Sequence, residues 1–278
     1  MRIVILTTPN HMYANYIIKQ LLLTKDDYEV VGIIESGAFL PGKTFSPALL
    51  EYLRKSGPYF VATQALKMLF FRTACVLNRI FKRNNERSHF YSYKEVAKTK
   101  NVKIYSSVDI NAEESQQLLK SMNPDLIVIL LFAQILKGRT IEIAPLGVVN
   151  FHPSLLPRYR GLLPIFWGLA NNEKQLGVTL HFVDEGIDTG PVIARLPVEV
   201  NGNDTEHSMY ARISVLTSRL LSDIIKGLKR GGLKYGYETK EKKGSYFSLP
   251  TRDAVKRYRR NGKKFYTVTQ LLTPFEEL

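Results

Sequence analysis

A short apolar strand that runs into a proline-rich polar turn constrains this chain more than any other stretch. It covers residues 147–161, GVVNFHPSLLPRYRG. Val148, Val149 and Phe151 make the apolar run, and Asn150 and His152 stand two apart, so an extended strand points both to one face. Pro153 removes a backbone donor and turns the chain out of the sheet. A second polar loop, 183–191, follows another apolar strand and carries Asp188 between Gly186 and Gly190. An amide, an imidazole and a carboxylate at strand ends of one sheet can meet in a single crevice. Each residue alone has a plain structural reading. Asn150 is a turn former, His152 a satisfied core histidine, and Asp188 a turn residue before Gly190. Their order and shared context favour the joint reading.

Around this stretch the apolar pattern alternates strand and helix. Strands are predicted at 2–7, 28–34, 102–105, 125–131, 147–151, 177–183 and 191–200. Helices are predicted from Thr8-Pro9 to about Leu23, at 111–122 (started by Asn111), 163–171 and 205–231, with a stop at Gly231-Gly232. The run at 125–132 is continuously apolar, as a parallel strand buried on both faces must be. The expected fold is α/β and doubly wound: a mostly parallel twisted sheet with helices on both faces and the site at the strands' C-terminal ends. No Gly-x-Gly-x-x-Gly follows the first strand and no phosphate-loop motif occurs, which removes the main support for a dehydrogenase or nucleotide hydrolase.

Residues 40–98 interrupt the rhythm with a helical insertion. Helices are expected at 46–55 and 58–82, a polar loop at 84–88 and a short helix at 93–100. Gln64, Lys67, Asn78 and Lys82 would form a polar stripe on the longer helix. Lys67 and Arg72 break its apolar run, which argues against a transmembrane segment. Peripheral membrane contact is one role open to it. Cover for the sheet or a homodimer contact is preferred.

The net charge is +14, and residues 226–264 hold fourteen Lys and Arg against three acids. Such a segment suits RNA, a membrane surface or a phosphorylated ligand, and equally a solvated face with no partner. Cys75 is the only cysteine, so no intramolecular disulfide or Cys-rich zinc site is available, as in cytoplasmic proteins. His11, His89, His181 and His207 follow no metal-ligand spacing and are read as structural or surface residues; no metal is expected.

The motif Asn150-x-His152-Pro153-Ser154-Leu155-Leu156-Pro157, with Gly161 beyond it and Gly186-Ile187-Asp188-Thr189-Gly190 later, resembles the folate-dependent formyltransferase family. That family includes glycinamide ribonucleotide, methionyl-tRNA and sugar N-formyltransferases. The resemblance implies a formyltransferase-like Rossmann variant over 1–230, with the insertion at 40–98 and a basic C-terminal extension at 231–278. It implies Asn150, His152 and Asp188 as the catalytic trio and 10-formyltetrahydrofolate as co-substrate. It places the folate against Leu131, Phe132, Ala133, Gln134, Ile135 and Leu136, and against Val183, Asp184, Glu185, Gly186 and Ile187. Thr8, Pro9 and Asn10, at the first helix start, and Ser154, Arg158 and Gly161, on the shaped loop, are the candidate acceptor contacts.

Formyl transfer is acyl transfer. An uncharged amine attacks the formyl carbon and an oxyanion develops, so the site needs a donor such as Asn150 and a proton carrier such as His152, oriented by Asp188. The expected acceptor is a small amine, phosphorylated or nucleotide-linked, such as an amino sugar. Too few residues follow for the C-terminal barrel of the tRNA-modifying relatives, so methionyl-tRNA and nucleic acid are less favoured. A reading of another class is an inactive relative that binds RNA or a membrane through 54–87 and 226–264. The intact trio argues against it.

Overall fold

In the first strand Ile3 and Ile5 enter one hydrophobic cluster, and Val4 and Leu6 enter another. Burial on both faces is what a central parallel strand requires. The computed structural model describes residues 1–24, 28–37, 43, 45–81, 88, 90–231, 244–273 and 275. Its strands are β1 (Arg2–Thr7), β2 (Glu29–Ser36), β3 (Ile104–Ser107), β4 (Leu126–Leu130), β5 (Val148–His152), β6 (Arg160–Gly161), β7 (Gln175–Phe182), β8 (Val192–Glu199) and β9 (Tyr246–Phe247). The helices are α1 (Met12–Leu23), α2 (Phe45–Lys55), α3 (Pro58–Ile80), α4 (Tyr93–Thr99), α5 (Glu113–Ser121), α6 (Gly138–Ile141), α7 (Pro164–Ala170), α8 (Glu206–Lys229), α9 (Arg252–Arg260) and α10 (Val268–Leu272).

Seven strands form one sheet in the order β3-β2-β1-β4-β5-β7-β8. Neighbours from β3 to β5 are parallel, and β7 and β8 are antiparallel. The sheet is thus mostly parallel, as predicted. On one face Ile17 and Ile18 of α1, Phe166 of α7 and Ile213 and Leu221 of α8 pack with Ile3, Ile5, Val128, Val149 and Phe151. On the other, Leu119 and Met122 pack with Val4, Leu6, Ile127, Ile129 and Val148.

Several expectations are corrected. The first helix starts at Met12 with His11 as N-cap, not at Thr8. The Thr8 amide donates to Leu131 O at 3.2 Å, and Asn10 is left-handed at φ 57°, so the chain cannot yet coil. Asn111 does not cap α5, whose N-cap is Ala112. Its side chain instead accepts from Lys137 N at 2.8 Å and donates to Ile135 O at 2.9 Å, tying two loops together. The predicted loop at 84–88, apart from Ser88, lies outside the described residues, as do Lys82, His89, Gly232 and the basic stretch 232–243.

The polar stripe on α3 points inward. Gln64 and Lys67 reach the buried Glu206 carboxylate at 2.9 and 3.0 Å, which a helix with an apolar inner face would leave unpaired. Only Phe60 and Phe71 of α3 are buried. Neither Lys67 nor Arg72 disqualifies the helix by composition. By length and composition, its 23 residues are long and apolar enough to cross a membrane. The described part of the C-terminal extension packs on the core, with Tyr258, Phe265 and Leu271 in the larger cluster. Two-residue strands β6 and β9 pair in parallel and stitch it to the loop after β5.

Candidate active site

The trio is assembled by one antiparallel pairing. Val149 and Phe151 belong to the larger cluster, so alternation turns Asn150 and His152 to the opposite face. Asn150 lies opposite His181 and His152 opposite Thr179. The β7–β8 hairpin is closed by Phe182 N donating to Pro191 O at 2.9 Å, and its loop folds back over that face. Asp188 sits in the loop at φ 52°. It accepts from the Gly161 amide at 2.8 Å and from Asn150 Nδ2 at 3.4 Å, and lies 3.5 Å from His152 Nδ1. The predicted placement at the strands' C-terminal ends holds only in part. His152 ends β5, but Asn150 is mid-strand and the Asp188 loop leaves β7 at the register of Val149.

Protonation follows from the acceptors. His152 Nε2 is 2.8 Å from the Tyr159 carbonyl, which can only accept, so Nε2 carries a proton. The neutral ring then presents the Nδ1 lone pair to the Asp188 side. Burial lowers the His152 pKa, against the pull of Asp188 and the Tyr159 carbonyl, with His181 adding to the decrease. For Asp188, burial alone would raise the pKa; His152, His181 and the Gly161 amide outweigh it and hold the carboxyl well below the usual range. The amides that donate directly to the carboxylate are Gly161 N at 2.8 Å and Asn150 Nδ2 at 3.4 Å.

His181, read from sequence as structural or surface, belongs to the site. Its Nδ1 is 2.7 Å from Phe182 O, and its Nε2 is 3.1 Å from Asn150 Nδ2 and 3.6 Å from Asp188. Its place at the end of a predicted strand, just before the Asp188 loop, was the only local sign.

The two loops expected from the resemblance to hold the folate meet beside β5. Phe132, Leu136 and Val183 join one cluster with Val148, and Val183 N donates to Val148 O at 2.8 Å. Gln134 is a staple: its amide accepts from Ile110 N at 2.7 Å and donates to Val108 O at 3.0 Å. Asp184 caps its own turn by accepting from Gly186 N and Thr189 Oγ1. Leu131 is left-handed, Ala133 is half-buried, and Ile135 and Ile187 are exposed. A broad groove of about 1140 Å³ lies alongside, lined by Asn111, Lys137, Arg139 and Glu185 among others; none of the trio lines it.

The candidate acceptor contacts are mostly engaged internally. Ser154 Oγ donates to Arg158 O at 2.8 Å, Arg158 pairs with Glu173, and Gly161 holds Asp188. Exposed Asn10 follows Pro9 just beyond β1. Arg160, next to Gly161, has a buried Nε with no hydrogen-bond partner among the described residues. No group of three or more His, Cys, Asp or Glu among the described residues is placed to hold a metal ion.

A family model described as formyl transferase matches residues 77–225, more than half of the chain. The methionyl-tRNA formyltransferase of Clostridioides difficile (strain 630) is 37% identical over 138 residues, 50% of this chain and 45% of that protein. That of Caldanaerobacter subterraneus subsp. tengcongensis is 31% identical over 198 residues, 69% of this chain and 64% of that protein. The chain spans about half the length of most of these curated relatives. Among solved structures, glycinamide ribonucleotide transformylase 1 from Symbiobacterium toebii superposes with a TM-score of 0.57 at 18% identity, covering 86% of this chain and 94% of that one. A 4-N formyltransferase from Francisella tularensis gives 0.54 at 18% identity, covering 89% and 76%. At such identities the structural likeness speaks for the fold.

Proposed function

The chain belongs to the formyl transferase family, and we propose that it moves a formyl group from 10-formyltetrahydrofolate to the amino group of a small, phosphorylated or nucleotide-linked acceptor such as an amino sugar. The observation that carries this reading is the convergence of Asn150, His152 and Asp188, with Asp188 3.4 Å from Asn150 Nδ2 and 3.5 Å from His152 Nδ1. In the same reading the protein works in the cytoplasm.

The folate, held between residues 131–136 and 183–187, supplies the formyl group. Of the two Asn150 amide hydrogens, one is fixed by His181 at 3.1 Å and the other makes only a long 3.4 Å contact to Asp188. The long contact is the weaker, and its N–H is the one free to turn to the formyl oxygen as charge develops there. His152 Nδ1 accepts the proton from the attacking amine, and Asp188 stabilises the imidazolium that results. That proton is then available to the leaving nitrogen. On the acceptor side, Arg160 provides a cation for a phosphate, with Asn10 as a further contact.

A methionyl-tRNA acceptor is the second reading, favoured by the names of the sequence relatives. Steady-state transfer from 10-formyltetrahydrofolate, measured against amino-sugar nucleotides, glycinamide ribonucleotide and methionyl-tRNA, tests both. Transfer to a small amine, weakened in KM by Arg160→Gln, supports the first. Transfer to methionyl-tRNA alone replaces it with the second, and transfer to none while the folate still binds sinks both.

A further inference from the structure

Helix α3 is inverted relative to an ordinary surface helix, whose apolar stripe faces the core. Its polar side chains serve the protein: Gln64 and Lys67 bind Glu206, and Asn78 accepts from Ser88 Oγ at 3.3 Å. Its outer face carries an apolar stripe from end to end. Tyr59, Leu66, Leu69, Val76 and Ile80 recur every three or four residues or at twice that spacing, with Ala62 and Thr73 filling the gaps. Leu66, Leu69 and Ile80 are 58%, 60% and 61% exposed.

The charge beside this stripe is mainly positive, although Asp253 of α9 lies 3.5 Å from Lys256. α3 contains no acidic residue, and Arg72 and Arg79 are exposed on it. At its start the Arg259 guanidinium lies 4.4 Å from the Tyr59 ring centre, bringing the exposed Lys256, Arg259 and Arg260 of α9 to the same end. A second copy on this face would oppose cation to cation, which is unfavourable. An anionic bilayer surface matches both properties at once, taking the apolar stripe at the acyl boundary and the arginines among headgroups.

The helix is also fastened against crossing a membrane. Phe60 is buried and packs edge-on to Phe166 and Phe265, at ring distances of 5.7 and 5.4 Å. Pulling α3 away would strip Glu206, 1% exposed, of its Lys67 and Gln64 partners. We propose that α3 is a peripheral docking surface for a bilayer rich in anionic lipid, lying flat with Leu66, Leu69 and Ile80 inserted. The proposal does not depend on the acceptor or on formyl transfer.

Co-sedimentation of the full chain with phosphatidylcholine vesicles, with and without phosphatidylserine, tests it. The protein should pellet with the phosphatidylserine vesicles and be released at high salt. Leu69→Glu and Ile80→Glu, both at exposed positions, should abolish pelleting with an unchanged thermal melt. Arg72→Gln combined with Arg79→Gln should weaken partition about 25-fold, at about fivefold per cation near an anionic surface. This pair leaves the apolar stripe intact, so it tests the proposal even if a glutamate variant unfolds. Failure of the wild-type chain to pellet overturns the proposal, as does full pelleting of folded Leu69→Glu. A wild-type dimer in analytical ultracentrifugation that Leu69→Glu splits also overturns it, because a second copy then covers the stripe.

Discussion

Asn150 and His181 stand opposite each other across the antiparallel β5–β7 pair, and their side chains are joined by a 3.1 Å hydrogen bond. His181 Nδ1 faces the Phe182 carbonyl at 2.7 Å and must carry the proton, so Nε2 accepts. The Asn150 amide therefore presents nitrogen, not oxygen, to the ring. A residue outside the Asn-x-His motif sets which way the Asn150 amide points.

Removing that ring leaves the Asn150 amide free to rotate. Turnover of His181→Ala is expected to fall about tenfold, the low end for loss of an orienting partner. Asn150→Ala removes the donor itself and should cost about 10²–10³. Steady-state kinetics at saturating folate check the order, and equal losses for both variants would deny that His181 acts through Asn150.

What the sequence carries and what it hides divide along one line. Alternating apolar runs such as Ile3-Val4-Ile5-Leu6 encode strand positions locally, and all seven strands of the main sheet lie within a few residues of where periodicity puts them. Asn150 and His152 share a face by parity alone. His181 enters the site only through the register of a long-range pairing, which no local pattern records. The inward turn of the polar side of α3 depends on Glu206, far along the chain. The β6–β9 pair is two residues long on each side and has no period to read. The start of α1 moved because Thr8 is still bonded to Leu131 O, a contact between two loops.

Gly161 joins the site to the C-terminal segment. It has φ 92°, and an added Cβ would lie 2.3 Å from Phe247 O. Gly161→Ala is therefore strained in backbone and crowded at once. It should cost at least about 1–3 kcal/mol of stability, the range for a strained backbone position. It should also lower activity, because its amide holds Asp188 at 2.8 Å. Denaturant melts and turnover measured together check this; an unchanged midpoint would mean the β6–β9 pair does not hold the loop.

His11 and His207 are each held at about 4, chiefly by burial and also by the charge of Lys67. Both lie below the unfolded value of about 6.5, so the unfolded chain binds protons first as pH falls. Their contribution to stability is complete above about pH 6.5 and is lost progressively toward about pH 4. Calorimetry should show a level Tm above neutrality and a falling one across that window. A Tm that rises on acidification there would contradict the burial of these rings in their neutral form.

The pH dependence of catalysis tests which form of His152 works. Burial lowers its pKa, and Asp188 opposes that decrease without cancelling it. The ring is then neutral near pH 7, with Nδ1 open to accept a proton. The kcat/KM profile should rise through an apparent pKa below the usual histidine value of about 6.5 and stay level above it. Asp188→Asn keeps an oxygen to accept from the Gly161 amide but removes the charge that raises His152. The rising limb should therefore move to lower pH while the plateau drops. If the limb moves up instead, or if activity declines as pH passes from 6 toward 8, His152 acts as a charged donor to the oxyanion rather than as the base.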